Sequence, residues 1–530
     1  MPRGTQIIKG VEYVYEYDSK WMPDKKYATH ERDYIGKNVD GVFIPNKKYR
    51  LKLELLEAKK MHPGPVSSTE SSRSFYGATY LFDAVGEKLG VTRDLKKCFP
   101  ETWEQILSIA YYLILEDRNP MSRFPKWSAT HVHPYGENIP SQRSSDLFGT
   151  IGENAKQEFF KLQAERRLEK EFIAYDTTSI SSYSKSLKQA KYGVNKDDEP
   201  LQQINLALLF GEESRLPFYY RKLAGNITDV KTIRNLLADI DFLKLDKVNL
   251  VMDRGFYSEK NINDLFQKHY KFLIAVQTSL KFVQVKLDEV RNIMVTRPNY
   301  SSKYKIYCTS STEEWAYTET KERTGKQETG TRKIYLHIFY NDQRAVDDKN
   351  EFNSMLDMLE NELMTDSLNP EHERLYAKYY DIQETPVRGI TLTPKQETIN
   401  KAEKNYGYFA LITNEVKDPL EALNIYRTKD LIEKAFGNLK ERLNMRRTSV
   451  SSSENLEGKL FVQFVALIYL SYIKKAMNDQ NLFSKYTMQE FLDDLDIIER
   501  YGHPGKKHYI GEMTKKQQEL YGHMGVAVPT

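Results

Sequence analysis

Cysteine is almost missing from these 530 residues: only Cys98 and Cys308 occur, far apart in the chain. That excludes a disulfide-stapled fold, and the lack of any Cys-x2-Cys pair excludes a thiolate zinc motif. A reducing, cytoplasmic setting is the expectation. The N-terminus lacks the charged head and apolar core of a signal peptide. Long hydrophobic runs are scarce: the most apolar stretch, Leu460 to Ile473, contains Gln463 and is short for a bilayer. It predicts a buried helix and no membrane partner. No internal repeat is evident. An excess of one charge is also lacking, since 78 Lys and Arg face 74 Asp and Glu for a formal net charge of +4. So small a net charge does not identify a nucleic-acid binder, and local patches carry that information instead. What is present, 40% hydrophobic and 29% charged residues, fits a soluble folded chain long enough for about three or four units.

Residues 1–70 alternate aromatic and basic positions: Tyr13, Tyr15, Tyr17, Lys20, Trp21, Lys25, Lys26, Tyr27, Arg32, Tyr34 and Lys37. Both a DNA-clamping arm and a small β unit with a charged exterior fit this pattern. The β unit, with some phosphate contact, is the expectation. Residues 71–168 read as mainly helical. Gly77 to Lys97 predicts two helices broken at Gly90, and Thr102-Trp-Glu-Gln105 is a capping-box pattern before Ile106 to Leu115. Another helix is predicted from Ser141, with Gln142, Arg143 and Ser144 near its start. Such a region fits DNA reading by a helix in the major groove, and it fits generic helix packing equally well. His131 and His133, at i,i+2 with no third ligand nearby, read as packing or surface residues rather than metal ligands.

Residues 169–277 change to strand patterns. Glu171–Asp176, Gln203–Phe210 and Phe218–Lys222 read as three strands. A helix at Thr228–Ile240, a strand at Lys247–Asp253, a helix near Ser258–His269 and a strand at Lys271–Val276 follow. Asp176 ends the first apolar run and Asp253 the fourth, just before Arg254-Gly255-Phe256. Placing those two strands side by side brings both aspartates together at their carboxyl ends, where ligands commonly bind in α/β sheets. Residues 406–450 contain a helical stretch with Glu433. At about 100° per residue, Lys429, Glu433 and Lys440 fall at about 300°, 340° and 320° from Tyr426, on one narrow face. Leu431, Ile432, Ala435, Leu439 and Leu443 fill the adjoining arc and predict a core-facing side. A solvated charged face on an ordinary amphipathic helix fits this pattern as well.

Asp253 and Glu433 lie 180 positions apart, more than a simple connection needs, so residues 278–405 read as a β-rich insertion. Tyr304–Thr309, Glu314–Thr320 and Ile334–Asn341 alternate like strands, Asp347–Leu363 like a helix, and Glu319 to Arg332 like an exposed hairpin tip. Residues 451–530 form a C-terminal helical region whose apolar Leu460–Ile473 segment fits either a dimer interface or internal packing. Its basic stretch His503, Lys506, Lys507, His508 carries no catalytic signature.

Asp176, Asp253 and Glu433 supply the oxygen ligands that hard divalent cations such as Mg²⁺ require. Together with the Tyr-x2-Arg-x3-Glu-x6-Lys spacing, read here as Tyr426, Lys429, Glu433 and Lys440, they resemble DDE-type transposases of bacterial insertion sequences. Lys429 stands in the arginine slot, keeping the charge but losing the planar fork of a guanidinium. Arg427 is a candidate to compensate, although it projects about 100° from Tyr426 on a regular helix. Asp253-Arg-Gly255-Phe256, Tyr192-Gly-Val-Asn-Lys-Asp197, Gln203-Ile-Asn-Leu206 and Tyr406 to Asn414 extend the resemblance. It implies an RNase H-like mixed sheet with flanking helices, a β-rich insertion before the glutamate, and two Mg²⁺ ions per site, replaceable by Mn²⁺. It further implies cleavage at the terminal inverted repeats of an element and joining of the freed 3′-hydroxyl ends to target DNA, by a homodimer in a synaptic complex. Tyr426, Lys429 and Lys440 would hold end phosphates, and Trp315, or alternatively Tyr317, would stack on a flipped base or else pack the core. Two other readings stay open: an RNase H-like nuclease without strand transfer, and a domesticated DNA-binding protein.

Overall fold

Continuous apolar runs, rather than alternating ones, mark the strands at the centre of this protein, as expected where both faces of a sheet are covered. The structure, a computed structural model, describes residues 3–22, 27–39, 41–61, 71–166, 171–245, 248–320, 327–365, 367–385, 389–448, 450–503 and 506–530. Lys25, Lys26, Lys247, Ser449 and the tip of the predicted hairpin at 321–326 lie outside them. The chain divides into two compact units, 1–72 with 502–508, and 73–501 with 509–530.

The first unit is an antiparallel meander of β1 (Arg3–Ile8), β2 (Val11–Met22), β3 (Tyr27–Val39) and β4 (Val42–Pro45), followed by α1 (Lys47–Met61). Val14, Ile35 and Tyr49, with Phe43, form its small core. Arg3 donates to the Tyr49 hydroxyl and pairs with Glu16, so the charged rim is tied across β1, β2 and α1. The unit is thus a four-stranded antiparallel sheet with a helix.

The second unit enters through β5 (Ser72–Phe75) and continues as α2 (Gly77–Leu89), α3 (Val91–Cys98), α4 (Trp103–Leu115), α5 (Phe124–Ser128), α6 (Ser141–Thr150) and α7 (Glu153–Glu165). Gly90, at φ 72°, ends α2 in the left-handed conformation that glycine tolerates best, producing the predicted break. Thr102 precedes α4 as expected, but its side chain makes no capping hydrogen bond. Next come β6 (Phe172–Ser182), β7 (Gln202–Gly211), β8 (Pro217–Ala224), α8 (Asp229–Leu243), β9 (Asn249–Met252), α9 (Glu259–Gln267), β10 (Lys271–Val276) and α10 (Lys281–Met294). Then follow β11 (Tyr300–Ser301), β12 (Ile306–Thr320), β13 (Gln327–Tyr340), α11 (Asp342–Met364), α12 (Glu373–Tyr379), β14 (Tyr380–Thr385), β15 (Gly389–Pro394), α13 (Gln396–Glu403) and β16 (Tyr408–Thr413). The chain ends through α14 (Pro419–Arg427), α15 (Asp430–Gly437), β17 (Arg447–Thr448), α16 (Ser453–Asp479), α17 (Met488–Asp496), β18 (Glu499–Gly502), β19 (Tyr509–Ile510) and α18 (Lys515–His523).

One ten-stranded mixed sheet organises this unit in the order β11-β12-β13-β16-β10-β9-β6-β7-β8, with β17 beside the far end of β6. β6, β9 and β10 are parallel to one another, and β7, β8, β16 and β13 join them through antiparallel pairings. Two expectations need correction here. The stretches expected as separate strands, Tyr304–Thr309 and Glu314–Thr320, merge from Ile306 onward into one long strand, β12. The two long strands of the region read as an insertion, β12 and β13, are not a separate β domain, because β13 pairs with β16 and extends the central sheet. What packs separately is largely helical: Phe352, Leu359, Leu363, Tyr376, Tyr379, Tyr380 and Ile399 form their own core.

Elsewhere a single core runs from Ala78 on α2 to Met524, so the early helices, the sheet and the C-terminal helices bury one another. α16 is its spine. At 27 residues it is long and apolar enough to cross a membrane by length and composition, but most of that apolar stretch is buried inside the fold. Gly458 permits its close approach to α6, since a Cβ there would meet the Phe148 carbonyl oxygen at 2.0 Å. Gly437 has no such neighbour. Gly458→Ala is therefore expected to cost about 1–3 kcal/mol by overpacking. Gly437→Ala is expected to be neutral or to stabilise by up to about 1 kcal/mol. Denaturant unfolding of the two variants checks this opposition.

Candidate functional site

β6 and β9 lie parallel with Tyr175 opposite Met252, so the next residues, Asp176 and Asp253, stand beside each other. β9 stops there because Asp253 turns the chain: its carboxylate accepts the Arg254 N–H at 2.8 Å and starts a single 3₁₀ turn over Arg254–Phe256. Phe256, fully buried against Tyr175, pins that turn to the sheet. β6 does not stop, which corrects the expectation that Asp176 ends its strand. The polar run Thr177–Ser182 stays buried because partners meet it. β7 continues alongside, Asn195 Nδ2 donates to Ser181 Oγ at 3.0 Å, and Lys196 Nζ donates to the Thr177 carbonyl at 2.6 Å.

α15 packs against β6 and carries Glu433. The expected single helix from Tyr426 to Lys440 is broken into three pieces. α14 ends at Arg427, Thr428 and Lys429 keep right-handed helical angles, and α15 passes at Asn438 into a π turn over Asn438–Arg442. The core-facing arc survives: Ile432, Ala435, Leu439 and Leu443 are buried.

Tyr426 Oη donates to Asp253 Oδ1 at 2.9 Å. Lys429 is 7% exposed, and its Nζ lies 3.0 Å from Asp253 Oδ2 and 3.1 Å from Glu433 Oε1. Burial alone would lower the Lys429 pKa, yet the charges of Asp253 and Asp176, with hydrogen bonds to Asp253 and Glu433, carry it above its ordinary value. Burial also drives the Tyr426 phenol far up, and the negative charges of Asp253, Glu433 and Asp176 add to this. Both groups thus sense all three predicted carboxylates. Glu433 itself remains more than half exposed. Among the described residues, no three Asp, Glu, His or Cys side chains form a ready-made metal cage. The Lys429 ammonium stands between Asp253 and Glu433.

The two aspartates differ electrostatically. Burial raises the Asp176 pKa, and Lys196, Lys429 and the Thr177 N–H offset this only in part. Burial pushes the same way on Asp253, but Lys429, the Arg254 N–H and Tyr426 outweigh it and hold that carboxyl below its ordinary range.

Sequence reasoning missed three participants. Lys196 Nζ lies 3.6 Å from Asp176 Oδ1 and 3.4 Å from Asp229 Oδ2, and Thr177 Oγ1 donates to Asp229. Asp229, in the first turn of α8, reads in sequence only as a helix start. Lys196 and Asp197 sat in a block noted for resemblance alone, with no role attached. Lys440, expected to face a phosphate, is nearly buried and pairs with Asp197 Oδ2 at 2.7 Å. The π turn explains the departure, because its wider i→i+5 spacing shifts the phase of the face on which Lys440 was placed.

The remaining candidates lie elsewhere. Arg427 is exposed and stacks on the Tyr304 ring at 5.0 Å rather than joining the carboxylates. Trp315 is half-buried on β12, its Nε1–H donating to Asn263 Oδ1 at 2.9 Å and its ring meeting Phe282 edge-on. Tyr317 packs near Phe266 beneath the Arg332 guanidinium. Both are packing residues here. His131 contacts Asp496, and His133 sits between Ser108 and Ser128, as expected of packing histidines. Beside the acids, a cleft of about 940 Å³ opens on Asp253 and Tyr426, walled by Arg344, Phe352, Tyr406 and Phe409.

Comparison with known proteins gives three findings. The family described as Transposase DDE domain matches residues 167–469, which include Asp176, Asp253 and Glu433. No curated protein matches the chain. Among solved structures, the cryo-EM structure of a piggyBac transposase synaptic complex with hairpin DNA is similar with a TM-score of 0.35 and 10% identity, covering 85% of this chain and 78% of that one. Since the matched segment takes in more than half of the 530 residues and both halves of the site, the chain belongs to the transposase DDE domain family.

Proposed function

We propose that this protein is a DNA transposase that cuts the ends of an insertion sequence and joins the freed 3′-hydroxyl ends to target DNA, with Asp176, Asp253 and Glu433 as its acidic triad. The observation that carries the reading is convergence: Asp176 follows Tyr175 beside the Met252–Asp253 end of β9, and Lys429 Nζ lies 3.0 Å from Asp253 and 3.1 Å from Glu433, so acids from three separate segments meet. The parallel core strands flanked by β7 and β8 support an RNase H-like reading of the sheet.

The residues suit a divalent cation. The donor set is all oxygen, as Mg²⁺ or Mn²⁺ prefers. Asp176 is buried with its charge incompletely offset, the electrostatic condition that an added cation relieves. Glu433, being exposed, has room to swing toward the aspartates. Asp176, Asp253 and Glu433 would hold the ions, whose chemistry is to acidify an attacking hydroxyl and to offset charge on the departing oxygen.

The chain's own residues do the positioning. Tyr426 fixes one oxygen of Asp253 and Lys429 the other, so this carboxylate has one orientation. The Lys429 ammonium adds positive charge beside a bound phosphate, in the slot where the resembling family has arginine. The cleft at Asp253 gives a nucleic-acid strand room to approach, and Tyr406, whose buried hydroxyl has no partner among the described residues, lines it. Two element ends call for a two-fold assembly, so a homodimer on DNA is part of the proposal.

Glu433→Gln is expected to reduce metal-dependent cutting of end DNA by at least 10²-fold while leaving end binding within a few-fold, checked by gel assays with Mg²⁺ on DNA carrying both element ends. Cutting at the wild-type rate by that variant would remove Glu433 from the site. Transfer of a preformed 3′-hydroxyl end into a second duplex separates a transposase from a nuclease.

The opposed shifts of the aspartates give a stability test without metal. Asp176 has a raised folded pKa, so its charged form destabilises the fold at neutral pH, and the strain is relieved as pH falls through that pKa. Asp253 has a lowered folded pKa, so it contributes stability above the unfolded value that is lost as pH falls through the folded one. At pH 7 in chelator, Asp176→Asn is expected to raise the melting temperature and Asp253→Asn to lower it. Thermal melts of both variants at pH 7 and pH 4 check the signs: the Asp176→Asn difference should shrink at pH 4, whereas the Asp253→Asn difference, lost only as pH falls below the ordinary carboxylate range, should largely persist.

A further inference from the structure

We infer that residues 183–196 form a rigid strap that grips the phosphate backbone of double-stranded DNA on the Asp176 flank of the site. The inference rests on the DNA-processing reading above and deepens it by naming a contact surface.

The strap leaves β6 after Ser182 and returns toward β7. Its inner side is fixed. Leu187 and Ala190 are buried. Lys191 exchanges both backbone hydrogen bonds with Gln203, and Gln203 Nε2 donates to the Val194 carbonyl at 2.9 Å. Ser186 Oγ donates to the Ser451 carbonyl at 2.6 Å. Gly193 lies so close to Gly225 that a Cβ would meet its carbonyl oxygen at 2.1 Å. Lys196, at the end of the strap, reaches Asp176 and Asp229.

The outer side has the opposite character. Tyr192 is 69% exposed and Val194 86%, with Tyr183 also open. Lys185, Lys188 and Lys191 are exposed, and none forms an ion pair among the described residues. A flexible loop can turn such side chains inward, but a backbone held at this many points keeps them displayed. Three exposed ammonium groups spaced along the strap, none of them in an ion pair among the described residues, match a row of phosphates. An exposed tyrosine and valine between them suit sugar and base edges of the same duplex. Because Lys196 ends the row at Asp176, a duplex lying along the strap runs up to the carboxylates.

The test is equilibrium binding of a duplex to the full chain in chelator, where no cutting occurs. Replacing Lys185, Lys188 and Lys191 together by Gln is expected to weaken binding by on the order of tenfold or more, and to make the plot of log affinity against log salt shallower by about 2 to 3. Tyr192→Ala with Val194→Ser should weaken binding with little change of slope. All five positions are exposed, so melting temperatures should match wild type. A benzophenone amino acid at position 192 should crosslink to the duplex in the otherwise unchanged protein. An unchanged salt slope in the triple-lysine variant, or no crosslink, overturns the strap. Failure of the catalytic reading appears elsewhere, as cutting that survives Glu433→Gln, and leaves the binding result standing.

Discussion

Parallel pairing of β6 with β9 is the constraint on which the rest of the site depends. Register fixes it: with Tyr175 opposite Met252, the two following carboxylates emerge at one point of the sheet. A slip of one residue would send one of them to the opposite face, because side chains alternate along a strand. The unequal lengths of the two strands matter as much. β9 ends at Met252 while β6 continues six residues beyond Asp176, and its next parallel neighbour, β17, begins only opposite Ser181. α15 packs against β6, and Lys429, at the α14–α15 junction, pairs with both Asp253 and Glu433. Site and sheet therefore share one cause, the early turn at Asp253.

Crowding acids at such a point has an electrostatic cost that the chain offsets with lysines from two directions. Lys429 arrives from the α14–α15 junction and bridges Asp253 and Glu433, whereas Lys196 arrives from the strap and bridges Asp176 and Asp229. Compensation is uneven. Asp253 receives an ammonium, a backbone N–H and a phenol, and its ionised form is favoured despite burial. Asp176 also receives a backbone N–H, from Thr177, but the ammonium paired with it, Lys196, stands 3.6 Å away, and burial still raises its pKa. An arginine in place of Lys429 would spread its charge over a planar fork suited to a two-oxygen partner, whereas the compact ammonium fits between two separate carboxylates. A lysine at this position thus has a local geometric use.

How much of this was legible in the sequence depends on whether a residue's role is set by its own segment. Asp176, Asp253 and Glu433 could be picked out because each follows or sits within an apolar pattern of recognisable period, and the order of strands implied where the first two would meet. The helical wheel placed Tyr426, Lys429 and Glu433 together correctly, since the backbone stays right-handed through Thr428 and Lys429. It failed for Lys440, because a π turn leaves no trace in an amphipathic pattern. The length of β6 was misread for a related reason. Thr177–Ser182 is mostly polar, and partners contributed by the strap, β7, β17 and Asp229 make its burial tolerable. Lys196, Asp197 and Asp229 were invisible as site residues because their meaning lies wholly in who meets them. Trp315 was attractive as the lone tryptophan of its region, but Asn263 and Phe282 claim it.

The continuity of β13 with β16 and β10 changes what can move near Asp253. Had residues 278–405 formed an appended β domain, the cleft beside the acids would have two independently mobile walls. Instead Phe409, on β16, belongs to the same hydrogen-bonded ladder that carries Asp253, through β10 and β9. The facing wall has a different footing. Phe352 on α11 and Tyr406 after α13 pack with the separate helical cluster. Breaking a ladder costs many hydrogen bonds at once, whereas shifting a small satellite core exchanges few contacts. Any widening of the cleft to admit a DNA strand therefore falls on α11, α12 and α13, with the carboxylates and the strap held still. The residue at that moving boundary is Tyr406, which lines the cleft while its hydroxyl is buried without a partner among the described residues.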